Sequence, residues 1–411
     1  MTLTQDAPAG VEDRWPDVTA VPHAPLRAAM AGALFRRAMS RCAVRVRYPD
    51  GTVTGASGPI LDVRRPGVLL SRLGTAGLIG FGEAYQAGDW DAEDLTGVLT
   101  VLAGSMGTLI PPALQRLRRF HGVRAPHAER NTLAGSRRNI QRHYDLSNDL
   151  FALFLDGSMS YSSALFTTPG EDFTTAQHRK IDRLLDRTGT GPGTRLLEIG
   201  TGWGELAVRA ARRGAEVVSV TLSAEQRALA RRRAAAAGVG DRIDVRLCDY
   251  REIERIPGGF DAIVSVEMVE AVGVDYWPAY ARALADHLAP DGRVGLQMIT
   301  MAHDRMLATR DAYTWIHKYV FPGGLIPSVP AMEAALSRAD LRVTDRLDFG
   351  PDYAETLRRW RAAFNERPAE VAALGFDATF ARTWNFYLAY CEAGFAARYL
   401  DVCQLILGRT R

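Results

Sequence analysis

The stretch Thr194-Arg195-Leu196-Leu197-Glu198-Ile199-Gly200-Thr201-Gly202-Trp203-Gly204 reads as a short buried strand, a glycine turn and the entry to a helix. A brief apolar run bounded by glycines suits a strand covered on both faces. The glycines at 200, 202 and 204 permit positive φ and leave bare backbone against which a ligand can lie. Downstream the alternation continues. Glu205–Arg213 has helical spacing, Glu216–Thr221 reads as a second strand, and Ser223–Ala237 as a helix closing at Gly238, with Ser223 and Gln226 spaced as a capping box. Strands at Ile243–Leu247, Phe260–Val266 and Gly292–Ile299 follow, with a helix near Tyr276–Leu288. Strand and helix in turn predict an α/β fold with a doubly wound, mostly parallel sheet.

A dinucleotide turn reads G-x-G-x-x-G, with a pyrophosphate on the helix N-terminus. Here the third glycine comes one residue early and an acid, Glu198, precedes the first. That pattern favours S-adenosylmethionine, whose bound half is an amino acid, over a purely structural glycine turn. Groups at successive strand ends agree, since open α/β sheets bind ligands there. Thr221, Leu222 and Gln226 follow the second strand, where hydroxyl and amide groups suit a ribose. Asp249 and Tyr250 follow the third, where a carboxylate suits an adenine amino group and a ring suits its face. Each of these also has a plain alternative as a cap or surface residue.

Working outward, the 411-residue chain carries a net charge of +3 and 47% hydrophobic residues, a globular composition without the strong basic excess of a nucleic-acid binder. Of its 50 basic residues only two, Lys180 and Lys318, are lysines. The four cysteines form no C-x-x-C pair, so neither a disulfide framework nor a metal site is expected. Residues 1–25 lack the apolar core of a signal peptide and read as a mobile tail, and no window of about 18 apolar residues reads as a membrane span. A cytoplasmic protein on a membrane surface is the expectation. Residues 26–125 read as a small α+β domain, with a helix over Leu26–Met39, alternation at Ala43–Tyr48, a turn at Asp50-Gly51 and an apolar helix near Leu95–Leu109. Residues 114–143 hold eight arginines against one acid, either a solvated charged face or a site for anionic headgroups. The last 110 residues read as mostly helical and aromatic.

With those residues in view, the chain resembles the cyclopropane-fatty-acid synthase family of S-adenosylmethionine-dependent methyltransferases. The likeness rests on Gly80-Phe81-Gly82-Glu83-Ala84-Tyr85, His143-Tyr144-Asp145-Leu146-Ser147-Asn148-Asp149-Leu150-Phe151, Met159-Ser160-Tyr161-Ser162, the glycine loop, Val220–Gln226, Val264–Glu270 and Lys318–Gly324. Within the family it resembles the actinobacterial branch that modifies oleoyl phospholipids on the way to 10-methylstearate. The resemblance implies a class I, Rossmann-like methyltransferase domain over 126–411 with helical insertions, and a lipid-engaging domain over 26–125. It implies a homodimer and a flavin- or nicotinamide-dependent reductase as partner. The substrate it implies is an unsaturated phospholipid, whose alkene takes the methyl group and becomes a carbocation that then loses a proton. Cyclopropane formation is the alternative product; a small-molecule methyltransferase and a non-catalytic scaffold subunit are the competing readings.

Residue by residue, the resemblance puts Tyr161, Ser162, Gly200, Gly202, Thr221, Leu222, Gln226 and Tyr250 at the cofactor, beside Glu198, Gly204 and Asp249 from the strand-end reading, and makes Glu270 and Tyr353 active-site groups. In cyclopropane synthases these two, with a cysteine and a histidine, hold a bicarbonate that serves as base. Here Ser163 and Gln297 stand in the cysteine and histidine places. Both can still hold an anion or water, but Gln297 cannot relay protons. Glu267 is an extra carboxylate, expected on one helical face with Glu270, either as a neighbour that raises the proton affinity of one acid and makes it a base, or as a structural hydrogen-bond partner. Tyr313, Trp315, Tyr319 and Phe321 are, with Tyr353, candidates to line the cation's pocket, with plain core packing as the alternative for all but Tyr353.

Overall fold

The computed structural model describes residues 14–109, 132, 135 and 147–410. The eight arginines of 114–143, the boundary expected at 125/126 and residues 143–146 of the histidine-containing block lie outside the described residues, as do residues 1–13 of the expected tail. The described chain falls into two compact units.

One unit holds residues 14–109 together with Tyr313–Tyr319 and Asn365–Ala393. Its small sheet runs in the order β2-β1-β3-β4, with β1 at Arg45–Arg47, β2 at Val53–Thr54, β3 at Ile60–Val63 and β4 at Trp90–Asp91. The turn between β1 and β2 falls where expected: Asp50 accepts from the Thr52 amide at 2.9 Å and Gly51 takes φ +85°. The helix Pro25–Met39 buries Ala31, Gly32, Phe35 and Met39. It is crossed closely by the helix Pro66–Ala76, where a Cβ on Gly74 would lie 2.6 Å from the Arg27 carbonyl oxygen. Trp90, fully buried, stacks on Phe81 at 4.5 Å and meets Tyr85 edge-on at 5.1 Å.

Two expectations change here. Residues 14–25 are not a tail: a short helix, Pro16–Thr19, buries Val18, and the buried Arg72 guanidinium donates to the Asp17 and Val18 carbonyls. Trp15 donates to Asp377 at 3.0 Å. Likewise Trp315 and Tyr319, expected at the carbocation, spend their polar atoms inside this unit, on Gln86 at 2.9 Å and Glu83 at 2.9 Å. Tyr313 belongs to the same unit. The unit therefore takes up segments well beyond residue 125.

The other unit carries a seven-stranded sheet in the order β10-β11-β9-β8-β5-β6-β7, with β5 at Arg195–Ile199, β6 at Glu216–Thr221, β7 at Ile243–Leu247, β8 at Phe260–Val266, β9 at Leu288–Met301, β10 at Leu341–Asp348 and β11 at Leu400–Arg409. Strands β7, β6, β5, β8 and β9 are parallel, as expected; β11 and β10 add on antiparallel. Alternate strand residues feed two cores. Leu197, Ile199, Ile263 and Leu405 join Trp277, Leu284 and Met332 in one, whereas Leu196, Ala262, Val264 and Ile406 join Leu184, Leu206 and Ala210 in the other. Helices thus cover both faces, the class I Rossmann-like methyltransferase arrangement. The last 110 residues are mostly helical, as expected, and strands β10 and β11 are an addition to that reading. The Val402–Leu407 stretch is buried throughout, a pattern that periodicity does not separate from a buried helix.

Candidate active site

The glycine turn opens the cleft. Gly200, Gly202 and Gly204 take φ of +96°, +51° and +93°, and a Cβ on Gly202 would meet nothing within 4 Å. Gly204 is closed on its other side, since a Cβ there would come within 2.9 Å of Ala230. Gly200 and Gly202 line a cavity together with Tyr161, Ser162, Glu198, Thr221, Leu222, Gln226, Asp249, Tyr250 and Glu267. The cavity gathers the residues expected at the cofactor except Gly204, which packs against Ala230 instead.

Local hydrogen bonds aim these groups. The Thr221 hydroxyl donates to the Gln226 amide oxygen at 2.8 Å, and Ser223 caps its helix by accepting from the Gln226 amide at 3.2 Å. The Gln226 side chain thus turns to Thr221, completing only half of the expected capping box. Asp249 is already engaged, because Arg251 donates to its two oxygens at 2.8 and 2.7 Å. Its free-carboxylate role toward an adenine is therefore shared with that guanidinium, which also lies 5.4 Å over the Tyr250 ring. Tyr161 sits in an aromatic wall, with ring centroids 5.0 Å from Phe151 and 5.2 Å from Trp360.

Two buried groups of the cavity are pushed toward their neutral forms. Glu198 is fully buried with one Ser219 hydroxyl at 2.5 Å, and burial pushes its carboxyl up to about 8. Lys180, also buried, donates to the Ser162 hydroxyl, and burial pushes its ammonium down to about 8 against the pull of Glu267. A cationic ligand with an amino-acid end reverses the first penalty by drawing Glu198 into its ionised form. The cradle, the open backbone and the buried acid fit S-adenosylmethionine.

Beyond the cavity floor lies a carboxylate cluster. β8 ends at Val266, and Glu267 takes a left-handed φ of +49° before a 3-10 turn over Val269–Ala271. The two acids are therefore not on one helical face, as expected; a backbone strain of about 1 kcal/mol or more aims Glu267 separately. One Glu267 oxygen accepts from the Ser163 amide at 2.9 Å and from Gln297 at 2.8 Å, and the other from the Tyr353 hydroxyl at 2.5 Å. Gln297 is itself held by Gln404, which donates to its amide oxygen at 3.0 Å. The Ser163 hydroxyl turns away to the Ala164 carbonyl, so position 163 serves the site through its backbone.

Glu270 is differently placed. One oxygen accepts from the Ile299 amide at 2.5 Å, while the other is buried without a partner. Burial, and then the charge of Glu267, push its carboxyl up to about 8. Burial raises Glu267 as well, but three donors and Lys180 oppose that rise. Of the two, Glu267 has the donors and the neighbouring ammonium that favour a charge, whereas Glu270 is held toward its neutral form.

Lys180, Ser219 and Arg251 were not singled out as site residues from sequence. Lys180 had a signal: a lysine kept among so many arginines marks a place where an amine that can lose its proton differs from a guanidinium that cannot.

Comparison with known proteins accords with this geometry. Residues 132–405 match the family model for mycolic acid cyclopropane synthetase. The chain belongs to that family. It is 52% identical, over 97% of its length and 96% of the relative, to the tuberculostearic acid methyltransferase UfaA1 of Mycobacterium tuberculosis. It is 31% identical to the cyclopropane-fatty-acyl-phospholipid synthase of Escherichia coli, over 87% of this chain and 90% of the relative. The crystal structure of mycolic acid cyclopropane synthase CmaA1 complexed with SAH and CTAB superposes with a TM-score of 0.60 at 31% identity, covering 69% of this chain and 98% of that one. Family membership settles the fold and the class of enzyme, an S-adenosylmethionine-dependent one.

Proposed function

We propose that the protein transfers the methyl group of S-adenosylmethionine to the double bond of an oleoyl chain on a membrane phospholipid and releases a 10-methylene acyl product. The observation that carries the product assignment is the Glu267 carboxylate, which receives the donors at Ser163, Gln297 and Tyr353. The resemblance would place a bicarbonate among those same positions. Here a side chain of the protein fills the role, and no separate anion is required.

When bound, S-adenosylmethionine supplies a sulfonium-activated methyl group to the alkene. The chain's own residues do the rest. The glycine turn, Thr221, Leu222, Gln226 and Tyr250 hold the donor, with Tyr161, Ser162 and Asp249 closing its sides. An alkene is a poor nucleophile, so alignment and exclusion of water supply much of the rate. The new C–C bond leaves a cation on the neighbouring carbon of the acyl chain, stabilised by the rings of Tyr161 and Tyr353 and by the Glu267 charge. A 1,2-hydride shift moves that cation to the methylated carbon. The new methyl then gives one proton to Glu267, and its C–H electron pair closes the exocyclic double bond. Glu270 stays neutral beside it, and burial keeps Glu267 basic.

The enzyme in this reading works at the bilayer surface as a homodimer and hands its methylene product to a flavin- or nicotinamide-dependent reductase. Among the described residues no helix is long and apolar enough to cross a membrane. The test is product analysis with purified protein, donor and dioleoyl phospholipid. A 10-methylene chain is expected, formed equally well after bicarbonate is stripped from the buffer; an intact ring, as the cyclopropane alternative requires, would overturn the assignment.

A further inference from the structure

The helix Pro25–Met39 is apolar on two opposite sides. One side faces its own unit through Ala31, Phe35 and Met39. The other carries Leu26, Met30 and Leu34, four residues apart and 82%, 70% and 45% exposed, with Val21 exposed just before it. Residues at i, i+4 and i+8 form one stripe along a helix. Single exposed leucines need no explanation, but a stripe opposite an already satisfied core face does.

The charge around the stripe is of one sign. Residues 18–49 contain six arginines and no acid. Arg27, Arg36, Arg37 and Arg41 are exposed, and none is paired with a carboxylate among the described residues. Arg37 falls on the stripe between Leu26 and Met30 in projection, and Arg27 lies at its edge. A recess opens on this helix as well, lined by Phe35, Met39, Leu69 and Leu70 with Arg36 among its walls.

We propose that this face of the helix is the surface by which the enzyme docks on an anionic phospholipid bilayer, the leucine and methionine side chains entering the acyl boundary and the arginines meeting headgroup phosphates. Apolar insertion and cationic contact on one helix are the pairing that interfacial helices use. A second copy of the chain is the poorer occupant, because a two-fold contact sets the same unpaired arginines against each other. The proposal rests on the lipid substrate reading, and names where the bilayer is met.

The test separates the two. Wild type, the triple variant Leu26→Gln, Met30→Gln, Leu34→Gln, and a second variant with Arg27, Arg37 and Arg41 changed to Gln are sedimented with vesicles of dioleoyl phosphatidylglycerol and phosphatidylcholine. Because all the replaced side chains are exposed and glutamine is a good helix former, folding is retained. Both variants should bind at least about tenfold more weakly, the wild type losing binding as salt rises. Turnover on vesicles should fall in step, whereas turnover on the same lipid dispersed in detergent should stay at the wild-type level. Unchanged sedimentation overturns the proposal, as does a wild-type dimer that the triple variant splits. A wild type that sediments but methylates neither vesicle nor micelle sinks the functional reading and leaves the docking surface standing.

Discussion

Lys180 and Lys318 are the only lysines of the chain, each near a buried glutamate, and they sit in opposite surroundings. Lys318 donates to Glu83 at 2.5 Å and to Asp17 at 2.8 Å, and those acids together raise its affinity for a proton despite burial. Lys180 has a hydroxyl as its hydrogen-bond partner and Glu267 as an electrostatic neighbour, and burial wins. The first region compensates its charges and is packing. The second leaves them under-compensated around a cavity, and that is where chemistry is expected. Substitutions in the cavity should register as lost turnover, and those in the packed block as lost stability.

The largest effect should come from Glu267→Gln, which keeps the shape but cannot take a proton. Turnover should drop by about 10²–10⁴ with donor affinity nearly unchanged; a variant within threefold of wild type by product quantification would remove Glu267 from the reaction. Next, Lys318→Met should lower unfolding free energy by about 2–3 kcal/mol in denaturant titrations, below the full cost of a broken buried pair because the lysine is partly exposed. Reduced turnover per folded molecule in that variant would break the comparison. Glu270→Gln mimics the neutral acid, so a fall of no more than about tenfold is expected. A loss as deep as that of Glu267→Gln would exchange the roles of the two acids.

The smallest effect concerns pH. Glu198 is neutral below about 8 and Lys180 charged below about 8, so raising pH through that value adds a negative charge and removes a positive one. Both changes favour a cation. Calorimetry should show S-adenosylmethionine binding a few-fold more tightly at about pH 8.5 than at about pH 6.5. S-adenosylhomocysteine, whose sulfur is uncharged, should respond less. Equal responses would mean that neither group senses the sulfonium.

The parallel core and the donor cleft were legible because their signals are local. The glycine turn, the strand ends at Thr221 and Asp249 and the cap at Ser223 lie within a few residues of the elements they serve. The carboxylate cluster was only half legible. Glu267, Gln297, Ser163 and Tyr353 were all singled out, but their pairing joins residues 86 and 104 positions apart, and the left-handed backbone at Glu267 has no sequence signature. Trp315 and Tyr319 misled for the same reason. Aromatic residues next to a family block read as a pocket lining, whereas Gly82, whose Cβ would strike the Trp315 ring at 2.3 Å, shows that the block exists to seat them.

Gln404 lies on β11, inserted between β9 and β10, and steadies Gln297 across 107 residues of chain. During synthesis, β5 to β9 emerge from the ribosome well before the strand that fills this slot. At ordinary elongation rates the nascent protein waits roughly 5–20 s with that edge open and Gln297 unsupported. The residues of the cavity, all between 159 and 272, are thus synthesised before Tyr353 and Gln404, and the β9 edge stays unpaired in the interval.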